Sequence, residues 1–230
     1  GAARRIGRAL ALACARAGAD VMIHHGHSAE EAAEVRKQIE AVGRKAWILQ
    51  ANLAEAADAV KLVSAANAIQ PLSALVNSAA IFEPLTLQKT TLADWERHLA
   101  INLTAPFVLS QAFADQLHKD GHGRITNIVD WRALRPGADH FPYTISKAAL
   151  AALTKSMAAA LAPAIAVNAM ALGAILPPSD RPASPEIIRD VPARAWGKLE
   201  DVEETLLFLL SGPAYITGEI IHVDGGRHLI

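Results

Sequence analysis

Short apolar runs alternate along the chain with longer stretches in which apolar residues recur every three or four positions. The short runs predict strands at residues 19–24, 45–49, 72–76, 124–129, 164–168 and 219–223. The longer stretches predict helices that include residues 29–42, 91–117, 143–161 and 200–210. Strands and helices that alternate in this way indicate an α/β fold, namely a Rossmann-type doubly wound parallel sheet with helices on both faces.

The chain begins with a glycine-containing turn, Gly1 to Gly7, which leads directly into an Ala/Leu-rich helix that ends near Gly18. In a doubly wound sheet the strand before such a turn is central, and its neighbours would otherwise expose their edges. We therefore expect the first strand to be absent from the sequence as given. No linker or change in composition divides residues 1–230, which favours a single NADP-binding Rossmann-fold domain.

Composition limits the classes of function. Hydrophobic residues make up 52% of the chain and charged residues 20%, which predicts a large core, and the apolar runs are too short to span a bilayer. The net charge of −1 gives no electrostatic reason to expect binding to nucleic acid or to an anionic membrane. The lone Cys14 excludes a disulfide within the chain and fits a reducing compartment, so we expect a soluble, cytoplasmic protein.

The first turn carries a possible phosphate site. Glycines at a helix start let the backbone approach an anion, and the free N–H groups of the first helical turn attract phosphate. Arginines beside the glycines would strengthen that attraction. A glycine spacing of this kind is more often only a turn when it stands alone. The candidate cofactor-binding residues here are Gly1, Arg4, Arg5, Ile6 and Gly7.

The second strand ends in three histidines and a serine, where an NAD-selective site usually has a carboxylate. No acidic residue occurs here before Glu30, and imidazoles with a hydroxyl group suit the 2′-phosphate of NADP instead. The candidates are His25, His27 and Ser28. A solvated turn is the alternative. A metal site is disfavoured because the histidines crowd one turn without a fourth ligand.

Polar and small residues follow the next two strands, where an adenine edge and a flat ring can lie against the backbone. Asn52 can bind the adenine edge and can equally cap a helix that starts near Glu55, and both roles can hold at once. Phe82 can stack on a second ring or belong to the core. The candidate cofactor contacts at these strand ends are Asn52, Leu53, Asn77, Ser78 and Ala79.

The chemistry is expected around residues 124–150. Tyr143 and Lys147 are four residues apart on a helix, so they share one face and the ammonium group can favour the deprotonated phenol. Asp130 ends the preceding strand, where it can meet the phenol. Asn102 lies in an apolar helical segment, which Pro106 should kink, and needs a buried partner. A Pro-rich stretch at 176–185 predicts a lid.

These motifs, with Tyr215-Ile-Thr-Gly and Val-Asp-Gly-Gly226 near the end, resemble the short-chain dehydrogenase/reductase family over essentially the whole chain. The resemblance implies that Tyr143 donates the proton, that Lys147 binds the nicotinamide ribose and lowers the phenol pKa, and that Asn102 holds a water of the proton relay. It also implies a homotetramer that acts on a small-molecule substrate.

Two departures from the common family pattern are similar to its pteridine reductase branch: Arg5 in place of glycine, and Asp130 in place of the catalytic serine. That branch reduces pterins or folates with NADPH. The resemblance implies that Asp130 acts with Tyr143, that Arg5 contacts cofactor phosphate and substrate, and that Phe82 holds the pterin against the nicotinamide. A carbonyl reductase and a nucleotide-binding protein without turnover are the alternatives.

Overall fold

A computed structural model describes residues 1–117, 121–177 and 182–230. Its strands are β1 (Val21–His25), β2 (Ala46–Gln50), β3 (Ala74–Asn77), β4 (Gly123–Asp130), β5 (Ile165–Leu172) and β6 (Ile220–Val223), and every pairing between them is parallel. The predicted strands are all present. The fifth is longer than predicted because Ala169 to Leu172 are also buried and continue the ladder with β4.

The strands form two groups. β1 pairs with β2, and the other strands lie in the order β3-β4-β5-β6. Between β1 and β3 lies an apolar cleft lined by residues of both strands and of the flanking helices, among them Val21, Leu75 and Leu206. The strand expected ahead of Gly1 would belong at this place and stays a prediction.

The helices are α1 (Arg5–Arg16), α2 (Ala29–Ala41), α3 (Ala56–Ile69), α4 (Leu92–Leu99), α5 (Ala105–Gln116), α6 (Phe141–Leu161), α7 (Pro185–Ile188) and α8 (Leu199–Ser211). The single helix predicted over 91–117 is interrupted by a π-helical turn at Ala100–Thr104. Pro106 follows this turn and has no N–H group to continue an α-helical ladder, so the expected disturbance takes the form of a π turn.

Helices cover both faces of the larger sheet, as the pattern of apolar residues predicted. Phe113 of α5 belongs to the same buried cluster as Ile125 of β4, whereas Ile128 of β4 clusters with Leu206 of α8. Ile125 and Ile128 serve different clusters because successive side chains of a strand point to opposite faces. This arrangement holds the carboxyl end of β4 rigidly between two layers of helices.

No helix in the described part of the chain is both long enough and apolar enough to cross a membrane.

Candidate active site

The carboxyl ends of the strands border one large cavity of about 980 Å³. Of the predicted site residues, the cavity is lined by Gly1, Arg4, Arg5, Ile6, Gly7, His25, His27, Ser28, Asn52, Leu53, Ser78, Ala79, Phe82, Asp130, Tyr143 and Lys147. Asn77 and Asn102 do not line it. The size is that of a pocket for a cofactor or a small-molecule substrate, and parallel sheets bind ligands at this edge.

The glycine turn brings backbone against backbone. A Cβ atom at Gly1 would lie 2.7 Å from the Cα of Ala79, and a Cβ atom at Gly7 would overlap the carbonyl oxygen of Gly1. No side chain caps the first turn of α1, and no acidic residue lies in that turn. The turn therefore presents helix N–H groups to the cavity, as a bound phosphate requires.

Arg5 takes a conformation that usually belongs to glycine. Its φ of 52° is left-handed, a region that glycine enters without penalty and that an arginine enters at a conformational cost. Its guanidinium donates a 2.7 Å hydrogen bond to the carbonyl of Pro177. Arg5 therefore links the glycine turn to the start of the Pro-rich stretch. Four of the ten residues of the predicted lid, 178–181, lie outside the described residues.

In the histidine turn after β1, one side chain bonds to neighbouring backbone groups and another is exposed at the cavity. His24 lies 2.8 Å from the Gly1 nitrogen and 3.1 Å from the Ala51 carbonyl, and burial lowers its pKa to about 4. His25 is buried, and its Nδ1 has no hydrogen-bond partner among the described residues, while His27 is exposed at the cavity. An orphaned buried nitrogen beside the cavity fits a polar ligand.

The strand ends beyond β2 and β3 differ from the predictions in two details. Asn52 accepts a 3.1 Å bond from the Ala54 N–H group, whereas Glu55 occupies the N-cap position of α3 and no side chain caps this helix, so the predicted capping by Asn52 was wrong. Asn77 turns its side chain away from the cavity and donates to Asn127 at 2.8 Å and to Ser110 at 3.2 Å. Its amide therefore ties β3 to β4 and α5, and a contact between Asn77 and the cofactor stays a prediction.

Asp130 and Tyr143 meet as predicted. The Tyr143 hydroxyl donates a 3.2 Å bond to one oxygen of the Asp130 carboxylate, and the other oxygen accepts from the Arg132 N–H group at 2.9 Å. Burial raises the pKa of Asp130 above its ordinary value, against the opposing effect of Arg132. A carboxyl group in this position keeps its proton to a higher pH than an exposed one.

Lys147 is fully enclosed on the same helix face. Its ammonium donates a 2.7 Å bond to the Ile128 carbonyl, and burial lowers its pKa to about 8. The expected acidification of the phenol is not found: burial, followed by the Asp130 carboxylate, raises the pKa of Tyr143 well above its ordinary value. Lys147 is too far from the phenol to offset these two effects, because its ammonium lies 5.8 Å from the ring centroid while the Asp130 carboxylate bonds the hydroxyl directly.

Asn102 supports the site from behind. Its side chain accepts from the Ile81 N–H group at 2.9 Å and donates to the Ile81 carbonyl at 3.0 Å and to Ser146 at 3.1 Å. These bonds join the π-helical turn to the segment before Phe82 and to α6, which carries Tyr143. The buried partner that the sequence required is thus present. The relay water stays a prediction.

Sequence reasoning missed the residues around Phe82. The Phe82 ring stacks on His140, with 3.9 Å between centroids and 6° between planes, and meets Tyr143 edge-on at 4.6 Å. Asp139 bridges His140, at 3.0 Å, to Arg132, at 2.8 Å. The Phe82 ring is 49% exposed, so it is not a core residue. The signal available in the sequence was the proximity of Arg132 to Asp130 and of His140 to Tyr143.

Comparison with known proteins agrees with this geometry. A family model described as enoyl-(acyl carrier protein) reductase matches residues 1–228. The chain belongs to the short-chain dehydrogenase/reductase family. A 3-oxoacyl-[acyl-carrier-protein] reductase from Synechocystis sp. is similar to it, with 34% identity over 98% of this chain and 94% of the relative. A FabG protein of the same description from Aquifex aeolicus is 36% identical over 98% of this chain and 94% of its own length.

Solved structures of short-chain dehydrogenases confirm the fold. FolM alternative dihydrofolate reductase 1 from Brucella suis, crystallised with NADP, is 34% identical and superposes with a TM-score of 0.93 over 100% of this chain and 93% of that one. A short-chain dehydrogenase from Burkholderia cenocepacia, also crystallised with NADP, is 37% identical with a TM-score of 0.90, over 98% and 94% of the chains. The Rossmann-type fold predicted from the sequence is thus confirmed.

Proposed function

We propose that this short-chain reductase transfers hydride from NADPH to the ring of a pterin or folate. The observation that carries the proposal is the buried Asp130 carboxyl group bonded to the Tyr143 hydroxyl. Reduction of a ring C=N bond places hydride on carbon and needs a proton at nitrogen. A carboxyl group whose pKa is raised by burial can supply that proton, which a serine at the same position would not.

The protein contributes a proton path made of side chains whose positions are fixed by hydrogen bonds. NADPH supplies the hydride when it is bound. Tyr143 orients the carboxyl group of Asp130 through their shared hydrogen bond, and Lys147 keeps a positive charge beneath them while it holds the Ile128 carbonyl. Phe82 stacks on His140 with one face, and its exposed remainder provides an aromatic wall next to Tyr143 on which a flat ring can lie. The Tyr143 hydroxyl and the Asp130 carboxyl group thus form one proton path, and loss of either group would interrupt it.

The cofactor proposal depends on the turns after β1 and before α1. The uncapped first turn of α1 suits the pyrophosphate, and the imidazole of His27 with the hydroxyl of Ser28 suits a 2′-phosphate. No carboxylate stands at the end of β1 to bind a free ribose hydroxyl. The NADP in the related crystal structures supports the same preference.

A carbonyl substrate is the second candidate. The family description and the Synechocystis relative both refer to reductases of acyl carrier protein derivatives. The pair of Tyr143 and Lys147 would serve a carbonyl oxygen as well as a ring nitrogen. Both reductions consume one hydride and one proton, and Asp130 favours the pterin because a buried carboxyl group can pass the proton to a ring nitrogen together with the phenol.

A substrate panel tests the proposal. The full-length protein with NADPH is given dihydrobiopterin, dihydrofolate, an acetoacetyl thioester and a simple ketone, and the oxidation of NADPH is followed by absorbance. We expect turnover of at least one of the two ring substrates with a kcat/KM well above that for either carbonyl compound. A preference for the thioester would support the second candidate, and cofactor binding without any turnover would support a non-catalytic role.

We also propose a single-domain cytoplasmic homotetramer in which α4, α5 and α6 form one interface. Leu92 on α4 is 71% exposed and Phe107 on α5 is 44% exposed, which a packed interface would cover. Light scattering at micromolar concentration should give the mass of four chains. A monomer would contradict this assembly.

A further inference from the structure

A second cluster of charged and aromatic side chains lines the same cavity beside the catalytic group. Trp131 and Arg132 directly follow Asp130, and Arg227 comes from the last turn of the described chain. The guanidinium carbon of Arg132 lies 4.7 Å from the centroid of the Trp131 ring, and that of Arg227 lies 4.4 Å from it. Two cations are therefore held at one aromatic side chain within the cavity.

The two arginines differ in whether a carboxylate pairs with their positive charge. Arg132 is paired with Asp139 at 2.8 Å and lies 3.6 Å from the Asp130 carboxylate. Arg227 donates to the Ile187 carbonyl at 3.1 Å, and within the described ranges no carboxylate lies within 4.0 Å of its guanidinium. Burial, and then the charge of Arg132, lowers the pKa of Arg227, while the charges of Asp130, Asp139 and Asp224 act in the opposite direction.

The turn that carries Arg227 is rigidly built. One oxygen of Asp224 accepts from the Gly226 N–H group, and the other accepts from the His228 N–H group, each at 2.9 Å. His228 Nδ1 adds a contact of 2.8 Å to Asp224, and Gly226 takes the left-handed φ of 84° that the turn needs. The position of Arg227 is thus fixed by groups other than its own charge, as expected of a preorganised binding residue.

We propose that Arg227, assisted by Trp131 and Arg132, binds an anionic group carried by the substrate on the side away from the reacting ring. The chemical class is a carboxylate on an aromatic amide, such as the glutamate tail of dihydrofolate, with Trp131 against the apolar part. A charged guanidinium forms its strongest hydrogen bonds with such an anion. The inference rests on the proposed function, because the ring must lie over Asp130 for the tail to reach Arg227.

The experiment compares a substrate that has the anion with one that lacks it. Dihydrofolate carries two carboxylates, whereas dihydrobiopterin has an uncharged side chain. We expect Arg227→Gln to raise the ratio of the dihydrofolate KM to the dihydrobiopterin KM about ten-fold, the value of one lost charge-assisted hydrogen bond. Arg227→Lys should recover part of the loss. Arg36→Gln, which removes an exposed ion pair with Glu40 on α2, is the matched control.

The alternative outcomes separate this inference from the proposed function. If both substrates are reduced and Arg227→Gln changes the KM ratio by less than about two-fold, the subsite is wrong and the function stands. If neither substrate is reduced, the function is wrong, and calorimetry with p-aminobenzoyl-L-glutamate on the NADP-loaded protein decides the subsite. Binding that Arg227→Gln abolishes supports the subsite. Absent binding, or equal binding by the variant, overturns it.

Discussion

The two ends of the cavity are built on different principles. At the end of β4, Asp130, Tyr143 and Lys147 lie between layers of helices and bond to one another or to buried backbone. At the end of β1, His27 lies exposed on a turn. The first region fixes the position and proton affinity of each group before any ligand arrives. The second can exchange side chains at little cost to the fold.

This difference suggests that the β4 region serves the chemical step and that the β1 turn serves the choice of cofactor. Groups that move a proton need an accurate position and a suitable pKa, and burial is the largest cause of the pKa shifts of Asp130 and Lys147. A group that attracts a phosphate needs charge and reach, which an exposed turn provides. Substitutions in the β4 region should therefore act on turnover or stability, and those in the β1 turn on cofactor affinity.

The largest expected effect comes from Tyr143→Phe. The phenyl ring keeps the edge-on contact with Phe82 at 4.6 Å, while the hydroxyl bonded to Asp130 is lost. We expect kcat to fall by about 10³-fold, because a positioned proton donor contributes roughly 10²- to 10⁴-fold. Calorimetry should show NADPH binding to the variant. Turnover within about ten-fold of the wild type would show that Tyr143 is not essential to the proton path.

Asn102→Ala should reduce stability by about 2–4 kcal/mol, since it leaves a buried N–H and a buried carbonyl of Ile81 without partners. Urea unfolding measures this loss. Ser146→Ala, which removes the hydroxyl partner of Asn102, is the control and should cost less. Equal losses in the two variants would contradict the supporting role of Asn102.

The pKa of Lys147 offers a test of burial itself. Because burial lowers it to about 8, the ammonium loses its proton as pH rises through that value, whereas exposed lysines titrate near 10.4. Between about pH 8 and 10.4 the unfolded chain keeps this proton while the folded protein has lost it. The free energy of unfolding should therefore rise with pH across this range, as the cost of burying the charge disappears. Nuclear magnetic resonance of ¹³C-labelled lysine should show one such titration, absent from Lys147→Met. A titration above pH 10 would refute the assignment.

The smallest expected effect belongs to His27. Imidazolium binds a phosphate better than neutral imidazole, so the affinity for NADP should weaken several-fold from about pH 6 to 8.5, while the affinity for NAD changes little. Calorimetric titrations of both cofactors measure this. His27→Ala should lose the pH dependence and keep kcat. If the affinities for NADP and NAD change in parallel with pH, His27 does not bind the 2′-phosphate.

The sequence predicted what depends on periodicity and failed where tertiary contacts decide. Runs of apolar residues located all the described strands, and the spacing of Tyr143 and Lys147 placed both on one face of α6. The direction of the Asn77 side chain could not be predicted, because it depends on hydrogen bonds to Asn127 and Ser110 in elements distant in the sequence. The sign of the Tyr143 pKa shift likewise depends on burial, which spacing does not report.

The stack of Phe82 on His140 shows the same limit. Phe82 was singled out as a possible stacking residue, but its observed partner precedes α6 by one residue, with a left-handed φ of 49° at His140. Nothing in the local pattern predicts such a conformation for a histidine. Arg227 is further still from Asp130 in the sequence, and only the pairing of β5 with β6 brings its turn to the cavity.

The central claim is that the Asp130 carboxyl group belongs to the proton path of ring reduction, and Asp130→Ser tests it most directly. Steady-state NADPH oxidation by wild type and variant is measured with dihydropterin and with a simple ketone across pH. Because burial raises the pKa of Asp130, wild-type pterin reduction should decline as pH rises and this proton is lost. The variant should lose about 10²-fold or more on dihydropterin and keep its ketone activity, since serine can still orient a carbonyl oxygen toward Tyr143. Reduction of dihydropterin at the wild-type rate by Asp130→Ser would contradict the account.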